Sequence, residues 1–154
     1  GDVAKRLDPL AQVLDAVVKQ KGNTLAHRVQ HALALWGAGR ANDARVRALL
    51  TPLKNASANV RASLDTAYPK ARFVLAVVED TIAEATDWLA TYDALLPTEP
   101  DAAYRRVHLI TVVFWLIARD RYHMTLPTDR LPGLPDSLRC ATTETVGADE
   151  RGRA

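Results

Sequence analysis

Apolar residues recur every three or four positions along most of the chain, which is the spacing of one face of an α-helix. The first run follows Asp8 and Pro9, a capping residue and a proline suited to a first helical turn, and it stops at Gly22. Its apolar positions are Leu10, Val13, Leu14, Val17 and Val18. The pattern predicts a first helix from about Asp8 to Gly22.

A second helix is predicted from the next run. Asn23 or Thr24 can cap its start, and Gly37 and Gly39 can end it. The positions expected to face inward are Leu25, Val29, Leu33 and Trp36.

A third helix is predicted from Asn42 and Asp43, two residues that favour a helix start. Because Pro52 lies inside this run, we expect the helix to kink, or to divide between Asn55 and Ser57. Its expected inward set is Val46, Leu49, Leu50, Leu53, Val60 and Leu64.

Two longer helices are predicted in the second half. One follows Pro69 and continues to about Leu96, with an apolar side made of Val74, Val77, Val78, Ile82, Ala85, Leu89 and Leu96. The other covers about Asp101 to Met124 and is apolar on all sides in its middle. A helix of that kind is usually buried, so we expect it to form the centre of the molecule.

The chain after Met124 is rich in proline and then in polar residues. We expect it to be an extended segment with little to bury, and therefore dispensable for folding. The sequence thus predicts an all-α fold, a single-domain bundle of about five helices over residues 1–124 with an extended C-terminal tail over residues 125–154.

Composition agrees with a globular protein of one domain, since 48% of the 154 residues are hydrophobic and 25% are charged. The lone Cys140 cannot form an internal disulfide, which favours a reducing compartment. The longest apolar run, Leu109 to Ala118, is too short for a membrane helix. We therefore expect a cytoplasmic protein that does not enter a membrane.

Charge is divided along the chain, although the net charge is only +2. Residues 1–75 carry a net charge of +7, and residues 76–101 carry −7. The excess of positive charge is concentrated between Ala16 and Leu64. This stretch contains eight lysines and arginines and a single acid, Asp43. Opposite charges on two segments could attract each other within one molecule or between copies.

Four of these cations are spaced by seven residues: Arg40, Arg47, Lys54 and Arg61. On one continuous helix they would form a stripe that drifts by about 20° at each step. Cations repeated along a surface suit the phosphates of a nucleic acid, and arginine can bind two phosphate oxygens at once. We name Arg28, Arg40, Arg45, Arg47, Lys54 and Arg61 the basic seam and predict that it binds RNA or single-stranded DNA.

Two other interpretations remain open. The basic seam could be a solvated face, or it could pair with the acidic residues that follow it, as in a protein-interaction bundle with complementary faces; those acids are Glu79, Asp80, Glu84 and Asp87. A metal-dependent enzyme is the third candidate, since His27 and His31 have the spacing of two ligands on one helix face. No HExxH motif is present, and we expect no catalytic residue, metal or cofactor.

The aromatic residues are predicted to serve packing. Trp36, Trp88 and Trp115 fall on inward faces of the predicted helices. Tyr68 continues the seven-residue spacing after Arg61 and could stack on a base, but packing at a boundary is expected because Pro69 follows it. The sequence RDRYH from Arg119 to His123 is too short to match an Arg-to-His ribonuclease motif.

In its size, its all-α character and its basic positions Arg40, Arg47, Lys54 and Arg61, the chain resembles the small helical subunits of multi-subunit CRISPR effector complexes. The resemblance covers residues 8–124. It implies that several copies stack within a larger assembly, contact other subunits, and touch a guide or target strand without catalysis.

Overall fold

The computed structural model describes residues 24–97 and 108–139. Its helices are α1 (Leu25–Gly37), α2 (Asp43–Leu50), a 3-10 helix (Thr51–Asn55), α3 (Ala58–Leu64), α4 (Ala67–Val78), α5 (Ile82–Leu95) and α6 (Leu109–Tyr122), with a further helical turn at 136–139. No strand occurs in these residues, so the predicted all-α class is confirmed for them. The predicted helix from Asp8 to Gly22 lies outside the described residues.

Helix α1 is the predicted second helix. The side chain of Thr24 caps it by accepting a hydrogen bond from the backbone N–H of His27 at 3.2 Å. Val29, Leu33 and Trp36 are buried, as the apolar spacing predicted. The chain leaves the helix through Gly39, whose φ of 73° is a conformation that glycine adopts without strain.

The predicted third helix divides where the sequence indicated. Asn42 caps α2 by accepting from the backbone N–H of Arg45 at 2.8 Å. Pro52 then stands in the first turn of the 3-10 helix, where its missing N–H leaves no bond unmade. The backbone is extended at Ala56 and Ser57, and the Ser57 hydroxyl caps α3.

The prediction of one long helix from Pro69 to Leu96 is wrong. Asp80 has a φ of 58°, which ends α4, and the hydroxyl and the backbone N–H of Thr81 both donate to the carbonyl oxygen of Ala76. Aspartate tolerates this left-handed conformation better than most residues, which allows the chain to reverse. Helices α4 and α5 then pack side by side as an antiparallel hairpin, and Ile82, which was predicted to face inward, is 47% exposed.

Helix α4 is the centre of the described structure. Ten of its twelve residues are buried, and it packs against the elements on both sides of it in sequence. The sequence predicted instead that the helix before Met124 would form the buried centre, and that prediction is wrong. Helix α6 buries Phe114 and Trp115 but leaves Leu109 70% exposed. None of the described helices has the length and apolar character needed to cross a bilayer.

Helices α1 and α6 are joined by a polar chain beside their aromatic core. The indole N–H of Trp36 donates to the hydroxyl of Tyr122 at 2.8 Å, and that hydroxyl donates to Asp43 at 2.7 Å. Arg121 donates to the carbonyl oxygens of Trp36 and Gly37 at the end of α1. Burial, together with the hydrogen bond to Asp43, raises the pKa of Tyr122 from its ordinary value of 10.0 to about 12. The stability that this shift contributes is therefore complete below the ordinary value and is lost as the pH rises from there through about 12.

A buried carboxylate connects α5, α6 and the C-terminal segment. Asp93 is 1% exposed and accepts three hydrogen bonds: from a ring nitrogen of His108 at 2.6 Å, from the Thr111 hydroxyl at 2.8 Å and from the backbone N–H of Gly133 at 2.9 Å. The other ring nitrogen of His108 lies 3.2 Å from the carbonyl oxygen of Pro97. Each polar atom of this group therefore has a partner, as burial requires.

The segment after Met124 is packed into the core. Leu126, Leu131 and Leu134 are each 0% exposed, and the carbonyl oxygen of Leu126 accepts from the indole N–H of Trp115 at 3.1 Å. The expectation that this region has little to bury is wrong for these residues. Three leucines separated by prolines carry no helical period, which is why the pattern did not reveal them.

We expect Leu131→Ala and Leu134→Ala each to lower the free energy of unfolding by about 2–5 kcal/mol, because each removes a fully buried side chain. Leu109→Ala is the matched control. Its side chain is 70% exposed, so the change should stay within about 0.5 kcal/mol. Urea unfolding followed by circular dichroism measures all three, and equal midpoints for the three variants would refute the docking of this segment.

We also expect Gly133→Ala to destabilise the protein by about 1–3 kcal/mol, the usual effect of overpacking. A methyl group at this position would overlap Asp93 and the ring of His108. Ser137→Ala, an exposed position in the same segment, should have little effect in the same unfolding experiment. A Gly133→Ala protein as stable as the original would mean that the carboxylate network adjusts freely.

Candidate nucleic-acid interface

All six residues of the basic seam are exposed, but they do not lie along one helix. Arg28 is on α1 and Arg40 is in the turn after it, while the others follow on α2, the 3-10 helix and α3. A stripe with a seven-residue period would need a continuous helix, and the extended backbone at Ala56 and Ser57 interrupts it. The seam is therefore a series of cations on consecutive elements.

Arg47 reaches the end of the central helix. Its guanidinium donates to the carbonyl oxygen of Val78, the last residue of α4, at 3.0 Å. Carbonyl groups at a helix C-terminus have no partner within the helix and carry partial negative charge, so a cation there is favourable. This contact fixes the position of the Arg47 side chain, which remains exposed.

Lys54 forms an ion pair with Glu79, the residue that follows Val78. Its ammonium group lies 2.9 and 3.0 Å from the two carboxylate oxygens of Glu79. The side chains are 39% and 21% exposed, so solvent screens the pair and its contribution to stability is about 0–1 kcal/mol. Internal neutralisation, one of the alternatives left open by the sequence, therefore occurs at Lys54.

The other acids of the −7 segment lie elsewhere. Asp87 pairs with Arg130 from the C-terminal segment, Asp80 forms the turn after α4, and Glu84 is exposed in the first turn of α5. Among the described residues, Glu79 is the one acid of the four predicted partners that bonds to the basic seam.

Arg61 connects the seam to a group of aromatic side chains. Its guanidinium donates to the carbonyl oxygen of Ala56 at 3.2 Å and lies 5.1 Å from the ring centroid of Tyr68. Arg72 donates to the Tyr68 hydroxyl at 3.0 Å and lies 4.7 Å from the ring centroid of Trp88. We call Arg61, Tyr68, Arg72 and Trp88 the arginine–aromatic cluster.

Two members of this cluster were missed by the sequence analysis. Trp36 and Trp115 are buried as predicted, but Trp88 is half-buried and carries Arg72 on its ring. The packing role expected for Tyr68 agrees with its exposure of 5%. Arg72 follows Tyr68 by four residues, a spacing that places both on one helix face, whereas no local signal in the sequence brings Trp88 to them.

The histidines do not form a metal site in the described part of the chain. No group of three His, Cys, Asp or Glu side chains that could hold an ion occurs in residues 24–97 and 108–139. His31 is buried on α1; one ring nitrogen of His108 contacts Asp93, and the other lies 3.2 Å from the carbonyl oxygen of Pro97. Arg119, in the RDRYH sequence, bonds to the adjacent Asp120. Cys140 lies outside the described residues.

Comparisons with known protein families, with characterised proteins and with solved structures found no match to this chain.

Proposed function

We propose that the protein is a non-catalytic subunit that binds the phosphate backbone of a nucleic acid through its basic seam. One observation carries the proposal: the six cations are exposed on consecutive elements, while residues 24–78 contain only two acids, Asp43 and Asp65. Asp43 already accepts the hydrogen bond of Tyr122. An exposed segment with many more cations than acids is the electrostatic signature of a phosphate-binding surface.

The internal contacts of the seam are compatible with this role. A guanidinium has five N–H donors, and Arg47 uses one of them for Val78. The ion pair of Lys54 with Glu79 is solvated, so exchanging that carboxylate for a phosphate has a small free-energy cost. Fixed arginine stems reduce the conformational entropy that is lost when a strand binds.

The proposal includes membership in a ribonucleoprotein assembly. The resemblance to small helical subunits of CRISPR effector complexes supports it, as do the opposite net charges of residues 1–75 and 76–101, which allow copies to attract each other. Such a subunit would position a strand of RNA or single-stranded DNA and leave catalysis to other components.

A protein-interaction module is the second candidate. The bond between Lys54 and Glu79 favours it, because it demonstrates that basic and acidic groups of this chain pair with each other. In that case the basic seam would meet carboxylates of a partner protein. Such binding would also weaken with salt, but it would not require a nucleic acid.

Salt dependence tests the proposed contact. If Arg40, Arg47, Lys54 and Arg61 each neutralise one phosphate of a single strand, log affinity should fall against log salt with a slope of about −3. Changing Arg47, Lys54 and Arg61 together to glutamine should flatten the slope to about −1, and the loss should be similar for all base sequences. Fluorescence anisotropy with labelled RNA and DNA strands measures both.

The control removes cations outside the seam. Arg119 and Arg130 are arginines whose ion-pair partners, Asp120 and Asp87, are exposed, and changing both to glutamine should leave the slope nearly unchanged. Circular dichroism should record unaltered helicity for the triple variant, because its three side chains are exposed. Tight binding by the triple variant with an unchanged slope would contradict the proposal.

Self-association is tested by sedimentation at low and high salt. We expect larger species at low salt, because the opposite charges of the two segments attract each other when screening is weak. A single monomeric species at both salt concentrations, with and without a bound strand, would remove the support for stacked copies.

A further inference from the structure

The arginine–aromatic cluster lies where α3 meets the hairpin of α4 and α5. Arg72 on α4 holds its guanidinium 4.7 Å from the ring centroid of Trp88 on α5. The rings of Tyr68 and Trp88 meet edge to face, with centroids 5.5 Å apart. Because Arg61, the fourth member, is on α3, three helices contribute to this one group of planar side chains.

Hydrogen bonds fix the orientation of this group. Arg72 donates to the hydroxyl of Tyr68 at 3.0 Å, and that hydroxyl donates to the carbonyl oxygen of Leu53 at 3.3 Å. Tyr68 itself is 5% exposed and cannot turn away. The guanidinium of Arg72 is thus held over the indole before any ligand arrives, which lowers the entropy lost on binding.

Trp88 differs from the other two tryptophans in its exposure. Trp36 and Trp115 are 0% and 1% exposed, whereas Trp88 and Arg72 are both half-buried. A guanidinium held over a half-buried indole presents a planar surface on which a nucleobase can stack, since bases stack on aromatic rings and on arginine planes. A phosphate needs no such surface.

The cluster is continuous with the basic seam. Arg61 belongs to both, because it is a seam cation and lies 5.1 Å from the ring centroid of Tyr68. The Leu53 carbonyl that Tyr68 contacts immediately precedes Lys54. A strand whose phosphates follow Lys54 and Arg61 therefore passes next to Arg72 and Trp88.

We propose that the protein selects single-stranded nucleic acid, with a base stacked at Arg72 and Trp88 while the seam holds the adjacent phosphates. This inference rests on the proposed function. In a duplex each base is already stacked and paired, so the cluster can contribute only to the binding of a single strand. Stacking does not depend on the identity of the base, and we expect little sequence preference.

An abasic strand separates the two kinds of contact, because it keeps the phosphates and lacks the bases. We expect the full-length protein to bind a thymidine 20-mer or a uridine 20-mer about 5- to 150-fold more tightly than an abasic strand of equal length, which corresponds to one stacked base. A duplex of equal length keeps the phosphates but offers no unstacked base, so its binding should leave the emission of Trp88 unchanged. Comparing the DNA and RNA strands decides which nucleic acid is preferred.

Tryptophan fluorescence gives a second readout. Because Trp36 and Trp115 are buried, a change in emission when a strand binds should come from Trp88. We expect quenching by the thymidine and uridine strands and little change with the abasic strand. Trp88→Phe should abolish the quenching.

Arg72→Gln should reduce the preference for base-containing strands. Arg119→Gln is a closely matched control, because Arg119 also lies over a tryptophan, 5.3 Å from the ring centroid of Trp115, but that indole is 1% exposed and cannot receive a base. The control should keep the full preference. If Arg72→Gln or Trp88→Phe impairs folding, the comparison of strands and the quenching of the original protein still decide the question.

The outcomes distinguish this inference from the function on which it rests. Equal affinity for base-containing and abasic strands, with unchanged tryptophan emission, would overturn the stacking site and leave phosphate binding intact. Failure to bind any strand at low salt would overturn both.

Discussion

The carboxylate of Asp93 imposes the constraint on which the arrangement of the described helices depends. A carboxylate that is removed from water destabilises the fold by several kcal/mol unless donors surround it. Its donors here come from His108, Thr111 and Gly133, so the end of α5, the start of α6 and the C-terminal segment must meet in one geometry. Trp88 is on the same helix as Asp93, so the position of Trp88 relative to α6 and the C-terminal segment depends on this buried group.

The sequence predicted those parts of the fold that local chemistry determines. Caps at Thr24 and Asn42 and the division before Ser57 follow from the preferences of single residues, and the structure contains them. The reversal at Asp80 was not predicted, because the apolar residues keep their helical spacing across it. The left-handed conformation of one aspartate does not change that spacing. The docking of Leu131 was missed for a similar reason, since only tertiary packing gives an irregular segment its buried side chains.

For the candidate site, too, the sequence predicted what depends on single residues and missed what depends on tertiary packing. An excess of cations over acids is visible in the sequence, and the seam residues are exposed as a charged surface should be. The prediction that they share one helix face came from their seven-residue spacing, which requires a continuous helix. The extended backbone at Ala56 and Ser57 interrupts that helix. Arg72 and Trp88 would be about 24 Å apart on a continuous helix, whereas the turn between α4 and α5 brings the guanidinium within 4.7 Å of the ring centroid. No local pattern could have joined them.

The network around Asp93 also predicts an order of events in folding. Helices α4 and α5 are neighbours in the chain, so their contacts close short loops and form early. The backbone N–H of Gly133 follows Asp93 by forty residues, and during synthesis it leaves the ribosome well after the hairpin has done so. The other two donors, His108 and Thr111, also follow the hairpin in the chain, so we expect the carboxylate to stay hydrated until these residues have been made. We therefore expect its burial to be a late step, which joins a hairpin formed early to the last part of the described chain.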